Sequence, residues 1–323
     1  MMGLGIVFGV LTGVCTSVCY LFSRSYQLGR PNGLAKLMVI SHLVQGVVSA
    51  VLLAVFWRED IPPLEEYWRP LLGFTVSYLI GHTALLAATR YADASRISPL
   101  LGFKVVILAL IAVSFAGQTL VFRQWVAVVM TVAGVLIVNY TGGQIPWRAL
   151  VSVVVACVAY SISDLFARAH IEALAPLPPI WAGVFVTFMC YVCCCAFALA
   201  VFPWLGSRKL DDWRASIPYT AVWFVAQLLL FISIALAGVV LMNICQATRA
   251  IWSVVLGAMV ASWGLQHLEQ KTTRSVFVRR IAAAVMIVAA IGLYSSAKNE
   301  ESEPAAAPSA DVAVLRPPAA DLQ

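Results

Sequence analysis

The sequence predicts an all-α polytopic membrane protein with ten transmembrane helices, arranged as two inverted five-helix repeats. Three observations predict it. The 323 residues are 62% apolar and only 11% charged, with a mean hydropathy of +0.90. Soluble domains are about 45–50% apolar and about 25% charged, and no soluble core of this length would absorb the excess. The apolar residues also fall into ten runs, roughly 3–22, 37–57, 71–89, 97–116, 122–140, 148–167, 180–203, 216–237, 240–262 and 277–296, close to the about 20 residues that a membrane helix needs. Lastly, intramembrane polar residues recur at a fixed offset. Lys104 plus 145 is Arg249, and the same offset carries His82 onto Gln227 and Ala92 onto Ala237. An offset of 144 carries Leu-Phe-Ser-Arg, residues 21–24, onto Leu-Phe-Ala-Arg, residues 165–168, and so Tyr20 onto Asp164. Five crossings per copy is an odd number, which inverts the second copy relative to the first.

Taken in order, the first span carries Gly5, Gly9 and Gly13 at four-residue spacing, a stripe that lets another helix backbone approach closely. Pro31-Asn32-Gly33, Pro62-Pro63, Gly142-Gly143 with Pro146, Pro176 with Pro178-Pro179, and Pro203 with Gly206 mark the turns, as Pro and Gly do. In the fourth span Pro99 and Gly102 precede Lys104, where a proline loosens a helix by removing a backbone hydrogen bond. Trp57, Trp68, Trp147, Trp181, Trp204 and Trp213 sit near run ends, the place of an interfacial belt. The expected units are residues 1–141, the first five-helix repeat, and 142–296, the second. The Ala-, Pro-, Glu- and Ser-rich tail, 297–323, is expected to be disordered.

Composition excludes several classes. The net charge of +6 comes from cations that punctuate apolar runs instead of forming a patch, so nucleic acid is not an expected partner. All eight cysteines lie inside apolar runs; they read as small packing residues, and no disulfide or metal site is expected, the Cys190–Cys193 spacing notwithstanding. No cleavable signal peptide is evident, because the first run lacks a basic leader and continues into further helices. No His-Glu-x-x-His, Gly-x-Ser-x-Gly or phosphate-loop pattern occurs, and a single intramembrane acid is too few for the paired acids an intramembrane enzyme needs. Neither enzymatic activity nor a cofactor is expected. Lys and Arg number thirteen in the odd-to-even connections and five on the other side, which favours both termini outside.

Only Lys104 and Arg249 stand near span centres among the 21 Lys and Arg, and only Asp164 among the 15 acids lies inside a span. A midplane cation costs about 2.5–3.5 kcal/mol on insertion scales, so such residues face a bundle interior or a wet cavity. Lys104 and Arg249 are therefore candidates to bind an anionic group. The alternative is a buried ion pair or a cation capped by carbonyls. Asp164 has three readings: a helix-end partner of Arg168 at i, i+4, a partner of one of the two cations, or a protonatable coupling group. Asn243, Gln246, Arg249 and Ser253 form a polar stripe at helical spacing. With His82, Gln227 and Tyr20, Asn243 and Gln246 are expected to shape a polar cavity; Tyr160 lines it or packs.

Residues 98–104 (Ser-Pro-Leu-Leu-Gly-Phe-Lys), 117–125 (Gly-Gln-Thr-Leu-Val-Phe-Arg-Gln-Trp), 132–138 (Val-Ala-Gly-Val-Leu-Ile-Val) and 279–292 (Arg-Arg-Ile-Ala-Ala-Ala-Val-Met-Ile-Val-Ala-Ala-Ile-Gly), set in two five-helix copies, resemble the drug/metabolite transporter superfamily in its EamA-like ten-helix form. The resemblance covers about residues 3–296. It departs at Gln118, where the family often has Glu, and in an extra segment at residues 266–273. It implies inverted repeats around a central cavity lined by spans 1, 3, 4, 6, 8 and 9. It also implies cytoplasmic termini, against the charge count, so orientation stays open. The expected function is secondary transport of a small polar, anionic or zwitterionic metabolite by alternating access, in a plasma or inner cell membrane. The partners are then a small-molecule substrate and the lipid bilayer; assembly as a homodimer stays open. The competing reading is a non-transporting structural or lipid-handling membrane protein with its cations permanently paired.

Overall fold

The computed structural model describes residues 1–27, 30–89, 100–115, 119–139, 146–207, 209–262 and 274–302. Pro99, Gln118, Gly142-Gly143, residues 266–273 and the tail from 303 lie outside the described residues. Those described form helices and their connections, with no strand among them. The helices are α1 (Met2–Gln27), α2 (Gly33–Val55), α3 (Leu64–Thr89), α4 (Phe103–Phe115), α5 (Phe122–Asn139), α6 (Trp147–Ala173), α7 (Pro179–Leu205), α8 (Leu210–Ala237), α9 (Val239–Gln246), α10 (Arg249–Ser262) and α11 (Arg274–Ser302). The ninth apolar run is thus two helices, and the tenth continues six residues past the predicted end at 296. Five helices, α1, α2, α6, α7 and α8, are long and apolar enough to cross a membrane, and Phe103–Ser114, Phe122–Ile137 and Val285–Ala297 are shorter apolar stretches. The chain is a polytopic membrane protein. Large apolar side chains on outward faces, such as Val47, Val51 and Val55 of α2 and Val154, Val155 and Val158 of α6, remain exposed, as a lipid-facing surface requires.

Helix pairing follows the repeat. α3 packs chiefly on α6 and α1 on α8, each pair becoming the other when the copies are exchanged. α2 packs on α7 and α5 on α11, so helices at equivalent places in the two sequence copies pair with each other. Hydrogen bonds repeat as well. Ser17 Oγ donates to Gly13 O at 2.8 Å and to Arg249 O at 2.8 Å. Its counterpart Ser161 donates to Cys157 O at 2.7 Å and to Lys104 O at 3.3 Å. Offsets of 144 and 145 relate each partner to its mate, as the sequence requires.

The glycine stripe of α1 is a packing surface. A Cβ on Gly5 would come within 2.8 Å of Ala237 Cβ, one on Gly9 within 2.7 Å of Cys245 Cβ, and one on Gly13 within 2.7 Å of Thr248 Oγ1. α1 therefore lies directly against the α8–α9–α10 junction, the close approach that small residues permit. That junction turns at Gly238, whose φ of 85° belongs to a region costly for residues bearing a Cβ. Gly13→Leu is expected to push α1 off the turn before Arg249 and lower thermal stability by about 1–3 kcal/mol through overpacking, read by thermal unfolding in detergent.

At one end of the bundle, buried Asp212 of α8 accepts from Ser207 Oγ, pairs with Arg30 at 3.2 Å and stands 3.8 Å from Lys36. This network ties the α1–α2 connection to the α7–α8 connection. Asp212→Ala is expected to destabilise by about 1–2 kcal/mol, below the full cost of a buried pair because both cations can rehydrate. Trp57, Trp68, Trp147 and Trp204 are exposed at helix ends, consistent with an interfacial belt.

Candidate functional site

Lys104 and Arg249 each stand where a helix has just been interrupted. Residues 101–102 form a turn and α4 begins at Phe103; residues 247–248 form a turn and α10 begins at Arg249. The sequence placed both cations in the middle of continuous spans, whereas each lies in the first turn of a half-helix. Lys104 N–H donates to Leu101 O at 3.2 Å, Val105 N–H to Gly102 O at 3.1 Å, and Ile251 N–H to Thr248 O at 2.9 Å. These three-residue closures are how a helix tightens at a terminus. Helix N-termini carry partial positive charge, so the breaks and the cations reinforce one another.

The two cations face one cavity of about 50 Å³, where a single water takes about 10–15 Å³. α1 contributes Thr16 and Tyr20, α3 contributes Phe74, Tyr78 and Leu85, and Leu101 and Lys104 come from the α4 end. α6 supplies Tyr160, Ser163 and Asp164, and α8 supplies Trp223, Gln227 and Leu230. Gln246 of α9 and Arg249 of α10 complete the wall. Both repeats line it.

The polar residues divide into two sets. In the first, every group has a partner. Lys104 Nζ lies 2.7 Å from Asp164 Oδ2, with both residues at least 90% buried. Asn243 Nδ2 donates to the same carboxylate oxygen at 2.7 Å and to Val239 O at 2.9 Å. The Lys104 ammonium also stands 5.6 Å from the centre of the Tyr160 ring, within cation–π range. Tyr160 OH shares a hydrogen bond of 3.2 Å with His82 Nδ1. His82 and Asn243 are not in the cavity wall; they reach it through Tyr160 and Asp164. Of the readings of Asp164, the helix-end pair is overturned, because Arg168 pairs with Glu172 at 2.6 Å.

In the second set, Tyr20, Gln227, Gln246 and Arg249 line the cavity with side chains that make no hydrogen bond or ion pair among the described residues. Gln227 and Gln246 are each only 6% exposed, and burying polar groups without partners is unfavourable. The repeat explains the difference. The residue of α1 equivalent to Asp164 is Tyr20, so the second copy has a phenol at the place where the first copy's cation finds its carboxylate.

Sequence reasoning missed Thr16, Ser163 and the aromatic wall. Trp223 Nε1 donates to Tyr78 OH at 3.2 Å, Tyr78 stacks on Phe74, and Tyr219 stacks on Trp223. Its signal was Trp223, Gln227 and Leu230 at i, i+4 and i+7, which puts the two apolar residues on the face of a polar residue already singled out.

A bundle of apolar helices, with interrupted helices around a polar cavity, defines a multi-pass membrane protein. Residues 3–140, spanning α1 to α5, match the EamA-like transporter family, which lies within the drug/metabolite transporter superfamily. A solved structure described as "Crystal structure of protein" aligns with a TM-score of 0.67 at 12% identity, over 93% of this chain and 99% of its own. That likeness extends the shared fold across both halves. No curated protein matches the chain.

Proposed function

We propose that this protein is a secondary transporter that moves a small polar, anionic or zwitterionic metabolite across a plasma or inner cell membrane by alternating access. Residues 1–141 and 142–296 are assigned as the two repeats that rock against each other around the cavity. The observation that carries the reading is the set of four polar side chains, Tyr20, Gln227, Gln246 and Arg249, that line one cavity without a hydrogen bond or ion pair among the described residues. A solute with complementary polar groups gives these side chains partners; a permanent structural role leaves them unmatched. Arg249 binds the anionic group, and the amides and phenol orient the rest. Lys104 supplies positive potential, with Asn243 and His82 supporting the wall through Asp164 and Tyr160.

Asp164 is assigned to coupling, since a proton on its carboxylate would release Lys104. Removing the pair together, as Lys104→Gln with Asp164→Asn, is expected to abolish pH-driven uptake while solute exchange continues, measured in liposomes with an imposed pH gradient. Uptake that still follows the gradient counts against the assignment.

The competing reading, a non-transporting scaffold, requires both cations to be permanently paired. Lys104 is paired, but Arg249 has no acid beside it among the described residues. Purified protein in liposomes discriminates. Flux of any anionic or zwitterionic solute supports transport, and absence of flux across a broad panel supports the scaffold.

A further inference from the structure

Building on the transport reading, we infer that the substrate carries a single negative charge at one end of an apolar or aromatic body, and that dianions and zwitterions are disfavoured. Charge comes first. Among the described residues the wall contains two cations and one acid, and Asp164 lies in direct contact with Lys104 at 2.7 Å, so one positive charge, on Arg249, has no acid beside it there. At low effective dielectric a charge that enters must be matched. One carboxylate meets the Arg249 guanidinium, which suits bidentate recognition. A second has no cation left unless the Lys104–Asp164 contact breaks. An ammonium finds no unengaged acid, because Asp164 already receives Lys104 and Asn243.

The distribution of polarity supplies the rest. Gln246 stands three residues before Arg249, across the turn at 247–248, and Thr16 and Tyr20 of α1 line the same cavity. These unengaged amide and phenol groups can meet carboxylate oxygens bound at Arg249. Phe74, Tyr78, Trp223 and Leu230 present rings and an aliphatic side chain to the same cavity, with Trp223 Nε1 and Tyr78 OH bonded to each other. Such a surface takes apolar matter and offers little to a second charged group.

The test uses four para-series probes on one ring: benzoate, benzamide, terephthalate and 4-(aminomethyl)benzoate. Thermal stabilisation of the purified full chain in detergent is measured for each, followed by exchange in liposomes. Benzoate is expected to act at about tenfold lower concentration than each of the others, a difference of about 1.4 kcal/mol. Two variants probe the charge count. Arg249→Gln should erase the preference for benzoate over benzamide. Asp164→Asn, which uncovers Lys104, should raise the affinity for terephthalate relative to benzoate; if that variant does not fold, the Arg249→Gln comparison carries the test alone. Terephthalate or the zwitterion winning on the unmodified protein, or benzoate no better than benzamide, overturns the inference while leaving transport intact. So does a response to none of the four; the transport reading itself falls only if the broad anionic and zwitterionic panel also gives no flux.

Discussion

Arg249→Gln is expected to abolish ligand stabilisation while leaving the fold intact. The guanidinium has no ion pair to lose among the described residues, so its removal strands no buried partner, and the midplane cost of a cation, about 2.5–3.5 kcal/mol, disappears with it. Stability should hold or rise. Binding should fall by at least about a hundredfold, since hydrogen bonds to a charged group contribute about 1.5–3 kcal/mol each and a bidentate contact makes two. Arg249→Lys should recover charge without the planar fork and so regain only part of the affinity. The equivalent exchange, Lys104→Arg, should cost less ligand affinity, because Lys104 meets Asp164 and supplies potential instead of direct contact. The checks are thermal unfolding with and without ligand for each variant. Full ligand stabilisation in Arg249→Gln would make Arg249 structural.

Breaking the Lys104–Asp164 pair from one side should have the opposite signature. Lys104→Gln leaves the Asp164 carboxylate buried with only Asn243, and Asp164→Asn leaves the ammonium beside the Tyr160 ring alone. Each is expected to destabilise by about 3–5 kcal/mol, the cost of a buried charge stripped of its partner. Replacing both, as Lys104→Met with Asp164→Leu, removes the charge and should restore most of the loss, with Asn243 retaining its bond to Val239 O. The coupling between the two positions, from a double-mutant cycle in detergent, should be several kcal/mol. Additive losses would mean that the pair does not form.

Much of this molecule was legible in the sequence because the bilayer leaves few options. Spans must be helices, since no other open structure satisfies its backbone in hydrocarbon. A polar residue inside one must meet something, so Lys104, Asp164 and Arg249 stood out against their apolar surroundings. The offset of 145 also put Lys104 and Arg249 at matching places, and the matched Ser161 and Ser17 bonds to their carbonyls follow from it.

What the chain determines by itself is therefore the helical membrane class, the repeat, and the short list of residues that the membrane makes conspicuous. Composition and periodicity are local and additive, and they survive without any knowledge of neighbours. Which of those residues pair was decided only by the tertiary structure. Asp164 sits four residues from Arg168 in sequence, yet it meets Lys104 and Asn243, 60 and 79 positions away, while Arg168 turns to Glu172. Which partner each side chain meets is set by how α6 packs between α3 and α4. The same holds for the breaks before Lys104 and Arg249. Pro99 and Gly102 hinted at the first, but nothing local marked the second at residues 247–248. There Gly13 brings α1 against Thr248, and Ser17 of the same helix takes the carbonyl of Arg249. A neighbouring helix packs against the break and bonds to the first residue of the next half-helix, and that contact is visible only when the helices are assembled.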